Sequence, residues 1–499
     1  MHDQITIRGQ SMKLAWTSAL LGLCLLSGCT VGPNHAEPVT LAPGTWPESP
    51  AGTLAEAEPD LRTWWARFED PTLNELVGRA LEGNLDLRQA AARVREARAL
   101  RGVAASDQFP TINAGASASY SRDSENAFGN GGSGGGSGGG GSNSAGQEND
   151  LYDAGFDAAW EIDVFGRVRR SVEAADADLA ASLESERDVR VILVAEVART
   201  YMELRASQTR LEIANQNVRT QQETLELSQD RLGAGLGTEL QVSQATTQLE
   251  STRSQIPVLM AQVRRASHRL DVLLGQQPGT LRDELGSAQV PPSPELVQIG
   301  LPAELLRRRP DIRRVERELA AATARVGVAT ADLYPRFTLT GSFGVQSEDL
   351  DTLFDASSRT WSVGPLAVRW PIFTAGRVRS TIRVNEARQE QALIAYERTV
   401  LLAYEEVANA LVSYARVRER RESLTRAMLA SATAVELSQD LWTRGLTDFL
   451  NVLDSQRALF LLQDQLAESA AEEATSLVAI YKALGGGWDD QAVAAASSR

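Results

Sequence analysis

The sequence predicts an α+β membrane protein in which one unit, made of two membrane-length strands and a pair of long coiled-coil helices, occurs twice. The first observation is a repeat: Gly166-Arg167-Val168-Arg169 recurs as Gly376-Arg377-Val378-Arg379, at a spacing of 376 − 166 = 210. The second is that short segments, in which apolar and polar residues alternate, are followed by long segments that have helical periodicity and contain no proline. A repeat of this length indicates one duplicated unit.

The amino terminus, residues 1–28, has the order of a signal peptide: Lys13, then an apolar run, then Leu26-Ser27-Gly28-Cys29. The apolar run is shorter than the roughly 20 residues that span a bilayer as a helix. Met12 is an alternative start. The ending resembles the bacterial lipobox, which predicts a lipid on Cys29; a signal peptide with a chance cysteine is the alternative.

Residues 29–60 are rich in proline, which predicts an extended, lipidated tether. The formal net charge of the chain is −15, which disfavours nucleic acid or an anionic membrane surface as the main partner.

Two segments in each repeat alternate between apolar and polar residues, which is typical of strands with one polar face. The first repeat spans 61–285 and the second spans 286–488, and the predicted strands lie at about 111–121, 151–161, 336–346 and 360–370. Each has about 10 residues, the length of a tilted strand that crosses a bilayer. A Gly-rich loop, 129–142, joins the first two.

Four strands cannot close a barrel, and an open sheet edge in lipid leaves backbone groups unpaired at several kcal/mol each. The chain is therefore expected to oligomerise. The alternative is a monomeric periplasmic sandwich, which the long neighbouring helices disfavour.

Helical hairpins are predicted at 166–275 and 376–485, and shorter helices precede the strands at 84–107 and 310–332. Two antiparallel coiled-coil pairs per chain are the simplest packing. Residues 489–499 are predicted to be a disordered tail.

We find no catalytic constellation, metal site or phosphate-binding motif, so the sequence predicts a protein that is not an enzyme and needs no cofactor. His268 is the one histidine in a predicted ordered element, and it has no nearby ligand or nucleophile. A surface position on a helix explains it. Function is then expected to depend on geometry and charge.

Several motifs together resemble the outer-membrane efflux channels of the TolC type, in their lipoprotein (NodT/OprM-like) branch. They are Cys29-Thr30-Val31-Gly32-Pro33-Asn34, Trp64-Trp65-Ala66-Arg67-Phe68, Asp70-Pro71, Arg309-Pro310-Asp311-Ile312, Leu453-Asp454-Ser455-Gln456-Arg457 and Tyr481-Lys482-Ala483-Leu484-Gly485-Gly486-Gly487-Trp488. The resemblance implies a homotrimer in which twelve strands form one β-barrel, continuous with a twelve-helix α-barrel in the periplasm. It also implies a periplasmic adaptor protein and an inner-membrane pump of the RND class as partners.

The resemblance also implies a periplasmic gate at Asp454, where three carboxylates would form an acidic ring. Some family members carry a second acid where this chain has Asn451, so the ring is expected to be less acidic. Leu450 would add an apolar constriction. An ordinary solvated carboxylate at Asp454 is the alternative.

The tips of the helical hairpins are expected to contact the adaptor. The candidate residues are Leu232, Gly235, Arg444, Gly445 and Leu446. The alternative is that they only form turns.

Taken together, these features predict a lipid-anchored channel of the cell outer membrane with a periplasmic tunnel, the passive exit duct of a tripartite efflux system for small molecules such as drugs or toxic compounds. Two alternatives remain open: an exit channel for type I protein secretion, and a periplasmic coiled-coil structural or adaptor protein.

Overall fold

The computed structural model describes residues 30–38, 46, 54–55, 61–122, 148–282, 284–294, 297–298 and 307–489. The signal peptide, Cys29, the Gly-rich loop 129–142 and residues 490–499 lie outside these ranges. What the sequence predicts for them stays a prediction.

Long helices dominate the described residues. They are α1 (Pro71–Gly83), α2 (Leu85–Ser106), α3 (Arg167–Gly233), α4 (Glu239–Leu273), α5 (Pro310–Ala331), α6 (Arg377–Thr443) and α7 (Phe449–Ala483). Helices α3 and α6 have 67 residues each, which confirms the two predicted uninterrupted helices. Within the described ranges, no helix has both the length and the apolar content that crossing a bilayer requires.

Helix α1 and the 3-10 turn Trp64–Phe68 before it were not predicted from the sequence. Asp70 begins α1: its side chain accepts hydrogen bonds from the backbone N–H groups of Thr72 at 2.8 Å and Leu73 at 3.1 Å. An aspartate in this position, followed by a proline at the first helical residue, is a strong helix start.

The four predicted strands are present as β2 (Thr111–Arg122), β3 (Glu148–Ile162), β5 (Arg336–Ser347) and β6 (Arg359–Arg369). They form one antiparallel sheet in the order β2-β3-β5-β6, so the two repeats are joined by the pairing of β3 with β5.

The sheet has an apolar face and a polar face. Phe156, Phe343 and Trp361 are register neighbours on three strands, and their exposed fractions are 56%, 61% and 73%. The row one residue away is polar: Asn113 donates a side-chain hydrogen bond to Asp157 at 3.0 Å, and the hydroxyls of Ser342 and Ser362 lie 2.8 Å apart. Period-two alternation therefore places large apolar side chains on one exposed face, as predicted.

Each repeat ties the end of its second strand to the turn after its short helix. The indole N–H of Trp160 donates to the carbonyl of Gln108 at 3.0 Å, and that of Trp370 donates to the carbonyl of Leu333 at 3.0 Å. The two repeats therefore share this hydrogen bond as well as their sequence motifs.

A second sheet pairs two very short parallel strands, β1 (Leu54–Ala55) with β4 (Val297–Gln298). One strand lies in the predicted tether and the other near the start of the predicted second repeat. Neither was predicted.

The chain divides into two compact units that cut across the two repeats. Unit 1 comprises Met1–Ala36, Ala97–Leu179 and Leu319–Ala392, and unit 2 comprises Glu37–Glu96, Ala180–Glu318 and Leu393–Arg499. The four-stranded sheet belongs to unit 1. The hairpin tips and the main hydrophobic core belong to unit 2.

The core of unit 2 explains two of the motifs. Trp64 is fully buried and stacks on Tyr481 at a ring separation of 5.1 Å. A Cβ on Gly486 would lie 2.8 Å from the Trp64 ring, and the N–H of Gly487 donates to the carbonyl of Leu61 at 2.8 Å. The glycines near the end of α7 are therefore needed to let the backbone pass over Trp64.

The Arg-Pro-Asp-Ile motif also has a structural role in unit 2. Arg309 donates to Asp311 at 2.7 Å, to Glu406 at 2.7 Å and to the backbone carbonyl of Ala483 at 2.8 Å. Burial raises the pKa of Glu406, but the charges of Arg309 and Lys482 outweigh it, so that the pKa is lowered. The motif ties the start of α5 to the end of α7.

Candidate functional site

The first hairpin tip is a glycine-terminated helix end followed by a capped helix start. Gly235 has φ +73°, and the N–H of Leu236 donates to the carbonyl of Arg231 at 2.8 Å. This is the Schellman arrangement, for which glycine is preferred. Thr238 then caps α4: its hydroxyl accepts from the N–H of Gln241, whose side chain accepts from the N–H of Thr238.

The second hairpin tip repeats the helix end but not the cap. Gly445 has φ +80°, and the N–H of Leu446 donates to the carbonyl of Leu441 at 2.8 Å. Asp448 takes the place of Thr238 at the repeat spacing, and its side chain makes no capping bond within the described part of the chain. The start of α7 therefore lacks the side-chain cap that the start of α4 has.

Exposed apolar side chains surround both turns. Leu232, Leu236 and Leu446 have exposed fractions of 38%, 70% and 69%. Arg444, the residue after the end of α6, is paired with Asp440 of that helix at 2.9 Å. Leu236 was not predicted as a contact residue, although it is more exposed than Leu232 and follows the predicted Gly235.

A small apolar cluster lies beneath the second tip. Its buried members are Ala245, Trp442, Phe449, Val452 and Leu453. The rings of Trp442 and Phe449 are 4.8 Å apart, and the guanidinium of Arg231 lies over Trp442 at 4.9 Å. This cluster fixes the first turns of α7 against α4 and α6, and with them the direction of the predicted gate residues.

The three predicted gate residues lie on the opposite, exposed side of α7. Leu450 is 54% exposed and the side chain of Asp454 is 59% exposed. Asn451 is exposed and donates to the hydroxyl of Thr447 at 2.7 Å. A spacing of four places Leu450 and Asp454 on one face of the helix, so the structure brings these residues together.

Arg457 is a neighbour of the predicted gate that the sequence analysis did not consider as a site residue. Its guanidinium lies 3.6 Å from Asp454, and it donates twice to the side chain of Gln248 at 3.2 Å. The spacing of three from Asp454 on a helix could have indicated the contact. Within one chain, the negative charge of Asp454 is thus partly offset.

Behind this face, α7 meets α3 through a polar layer around Gln456. Gln456 is 4% exposed and donates to the hydroxyl of Thr224 at 3.0 Å, while its amide oxygen has no partner among the described residues. The buried amide of Gln221 has none either within that part of the chain. Because unpaired buried polar groups cost about 1–3 kcal/mol each, this layer holds the helices together less strongly than the apolar cluster does.

The family model described as outer membrane efflux protein matches residues 76–276 and 301–486 of the chain. This match falls on both repeats, and it includes both hairpins and all four strands of the main sheet.

Individual proteins match over nearly the whole chain. The toluene efflux pump outer membrane protein TtgI of Pseudomonas putida is 32% identical over 476 residues, which are 94% of this chain and 97% of that protein. The cation efflux system protein CusC of Escherichia coli strain K12 is 30% identical over 476 residues, which are 94% of this chain and 99% of that protein. Among solved structures, the outer-membrane channel OprN is 40% identical, with a TM-score of 0.85 over 92% of this chain and 100% of that one.

Proposed function

Because the chain belongs to the outer membrane efflux protein family, we propose that three copies close one twelve-stranded β-barrel in the outer membrane and form one twelve-helix tunnel in the periplasm. The family membership makes the protein an outer-membrane exit channel of a tripartite efflux system. The trimer, the gate and the partners are the proposed part.

The observation that carries the trimer is the four-stranded sheet with two edge strands. Among the described residues, β2 and β6 each pair with one neighbour only. In lipid, an unpaired edge costs several kcal/mol per backbone group. Three such sheets joined edge to edge give twelve strands, which lies within the range of closed membrane barrels.

The exposed apolar row supports a lipid-facing side of this barrel. Phe156, Phe343 and Trp361 lie side by side with more than half of each side chain exposed. Lipid contact removes the cost of leaving such a row in water. The row of hydrogen-bonded polar side chains would then face the water-filled interior.

Edge-to-edge closure is tested by cysteine crosslinking in a background without the two native cysteines, Cys24→Ser with Cys29→Ser. One cysteine is placed in β2 at a position from 113 to 119, and one in β6 from 361 to 368, in a panel that samples the possible registers. We expect disulfide-linked dimers and trimers for some pairs. Pairs at Phe156 and Trp361, which lie on strands separated by β5 within one sheet, serve as controls and should give no link between chains.

No intermolecular link at any register, or a ladder that continues beyond three chains, would contradict closure by three copies. The same detergent-solubilised samples should have the mass of a trimer in light scattering.

The gate is proposed on the exposed face of α7. Asp454 from three copies would form an acidic ring, Leu450 one turn away would narrow the pore, and Asn451 would leave the ring with one acid per chain. The exposure of all three side chains in the single chain supports this role, because a gate residue must face away from its own protomer's core.

The hairpin tips are proposed as the contact for a periplasmic adaptor, through Leu232, Gly235, Arg444, Gly445 and Leu446. Exposed leucines around rigid turns support the proposal, since apolar side chains in water are stabilised by a partner surface. A photocrosslinking residue at Leu446 should capture the adaptor in whole cells. Leu401, which is also 69% exposed but far from the tip along α6, is the matched control and should not.

We further propose that the channel is a passive conduit without enzymatic activity, supplied with energy by an inner-membrane pump of the RND class, and that Cys29 carries the covalent lipid. The cargo is proposed to be small molecules. TtgI is named for toluene efflux and CusC for cation efflux, and both cargoes are small, which supports this proposal.

A further inference from the structure

The segment after the predicted lipidation site is tightly bound in unit 1. The N–H of Val31 donates to the carbonyl of Phe165 at 3.3 Å. Arg170, which is only 3% exposed, donates to the carbonyl of Val31 at 3.2 Å, to the carbonyl of Gly32 at 3.4 Å and to the side chain of Asn34 at 2.6 Å. One buried guanidinium therefore holds three acceptors of one short peptide.

Two glycine contacts make the fit close. Gly32 has φ +90°, and a Cβ there would lie 2.5 Å from the Cα of Gly327; a Cβ on Gly327 would in turn lie 2.9 Å from Arg170. On the other side, a Cβ on Gly166 would lie 2.6 Å from the Thr30 side chain. Backbone and side chains approach here at distances that any residue larger than glycine would prevent.

The second repeat shows that this arrangement is not a general property of the fold. At the repeat spacing, Arg170 corresponds to Ser380 (380 − 170 = 210) and Gly166 corresponds to Gly376. Gly376 has nearly the same φ, +85°, but nothing among the described residues lies within 4 Å of its Cβ position. Only the first copy has the arginine and the close contact.

The guanidinium of Arg170 also forms an ion pair within its own helix. Its remaining terminal nitrogen donates to Glu173, one turn along α3, at 2.7 Å. An arginine fork fixed in this way is pre-organised, so less side-chain entropy is lost when it binds its acceptors.

We propose that Arg170, Gly166 and Gly327 form a binding site for the chain's own amino-terminal segment, Thr30–Asn34, which holds that segment at the junction of β3 and α3. A single acyl chain binds a membrane only marginally and reversibly. Docking of Thr30–Asn34 shortens the free chain between the folded protein and any lipid on the preceding residue, which a free tether would not do. The proposal concerns the peptide and does not depend on whether Cys29 is lipidated or on the number of chains in the barrel.

Amide hydrogen exchange of the full chain in detergent tests the proposal, with a peptic peptide that covers residues 30–38 as the readout. In the wild type, the Val31 amide should be protected. Arg170→Ala should accelerate exchange in this peptide at least ten-fold and leave exchange in β3 and α3 unchanged. Ser380→Ala, at the equivalent position of the second repeat, is the control and should change nothing in the peptide.

A pair of glycine variants separates docking from general strain. Gly166→Ala and Gly376→Ala both introduce a Cβ at a φ above +80°, so they share the backbone strain, but only Gly166→Ala collides with Thr30. Faster exchange of residues 30–38 in Gly166→Ala alone supports the site. Equal exchange in both variants, or unchanged exchange in Arg170→Ala, would overturn it; should Arg170→Ala not fold, the glycine pair decides alone.

Discussion

Reversing the charge of Asp454 should change the ion selectivity of the channel without unfolding it. The substitution Asp454→Lys removes an exposed ion pair with Arg457 at 3.6 Å and places two cations three residues apart. Exposed ion pairs contribute about 0–1 kcal/mol, and like charges one helical turn apart cost a few tenths of a kcal/mol. The apolar cluster around Phe449 stays intact, so the trimer should survive.

The effect on a permeating ion should be larger. In the proposed ring, the substitution changes the charge by two in each of three chains. An ion that passes about 8 Å from each charge feels about 0.5 kcal/mol per unit charge in water, or about 3 kcal/mol for the whole change. Screening at physiological ionic strength reduces this to about 1 kcal/mol for each ion. Because the change is unfavourable for a cation and favourable for an anion, the ratio of their permeabilities should shift by about 2 kcal/mol, or roughly 30-fold, toward anions.

The assay is reversal potential and opening frequency of single channels in planar bilayers under a salt gradient. Asp440→Lys is the matched control, because Asp440 is also exposed, lies near the same turn and is paired with a neighbouring arginine, Arg444. Glu436→Lys is a second control on the same helix as Asp440. Selectivity and opening that are the same in the wild type and in all three variants would show that Asp454 is an ordinary solvated carboxylate and refute the gate.

Cys29→Ser should abolish labelling by radioactive palmitate while the chain still folds and inserts, because a barrel holds itself in the membrane far more strongly than one acyl chain does; a wild type that takes up no label would rule out the lipid. Deleting Gly131–Gly141 should leave the trimer intact, since loop length affects stability only weakly, and loss of the trimer in light scattering would contradict the loop assignment. Burial, together with the hydrogen bond that Tyr201 donates to Asp70, raises the pKa of Tyr201 from 10 to about 12. This contribution to stability is complete below pH 10 and is lost as the pH rises through 12, so the melting temperature of the wild type should fall more steeply over that interval than that of Tyr201→Phe.

The long helices and the four strands could be predicted from the sequence because their signals are local. The alternation of apolar and polar residues over 151–161 predicted β3 to within a few residues of Glu148–Ile162. The absence of proline, together with helical periodicity, predicted α3. Helix α1 has a local signal too, since Asp70-Pro71 is a helix start, although the sequence was not used to predict this helix.

What was missed depends on contacts between distant residues. The pairing of Leu54–Ala55 with Val297–Gln298 involves strands too short to carry a pattern of their own. The binding of Thr30–Asn34 depends on Arg170 and on Gly327, far away in the sequence. For the gate, the chain shows that Asp454 is exposed, but a ring is a property of several chains.

The pairing of β3 with β5 has a consequence for assembly. It joins the second strand of the first repeat to the first strand of the second repeat. In the proposed trimer, β6 meets β2 of the next chain in the same relation, so every junction between repeats is equivalent, whether it lies within a chain or between chains. A polypeptide with one repeat would have to assemble from six separate chains to close the twelve-stranded barrel. The amount of closed barrel would then rise with the sixth power of the concentration of free chains. Duplication lowers that dependence to the third power, which favours complete rings when the concentration of free chains is low.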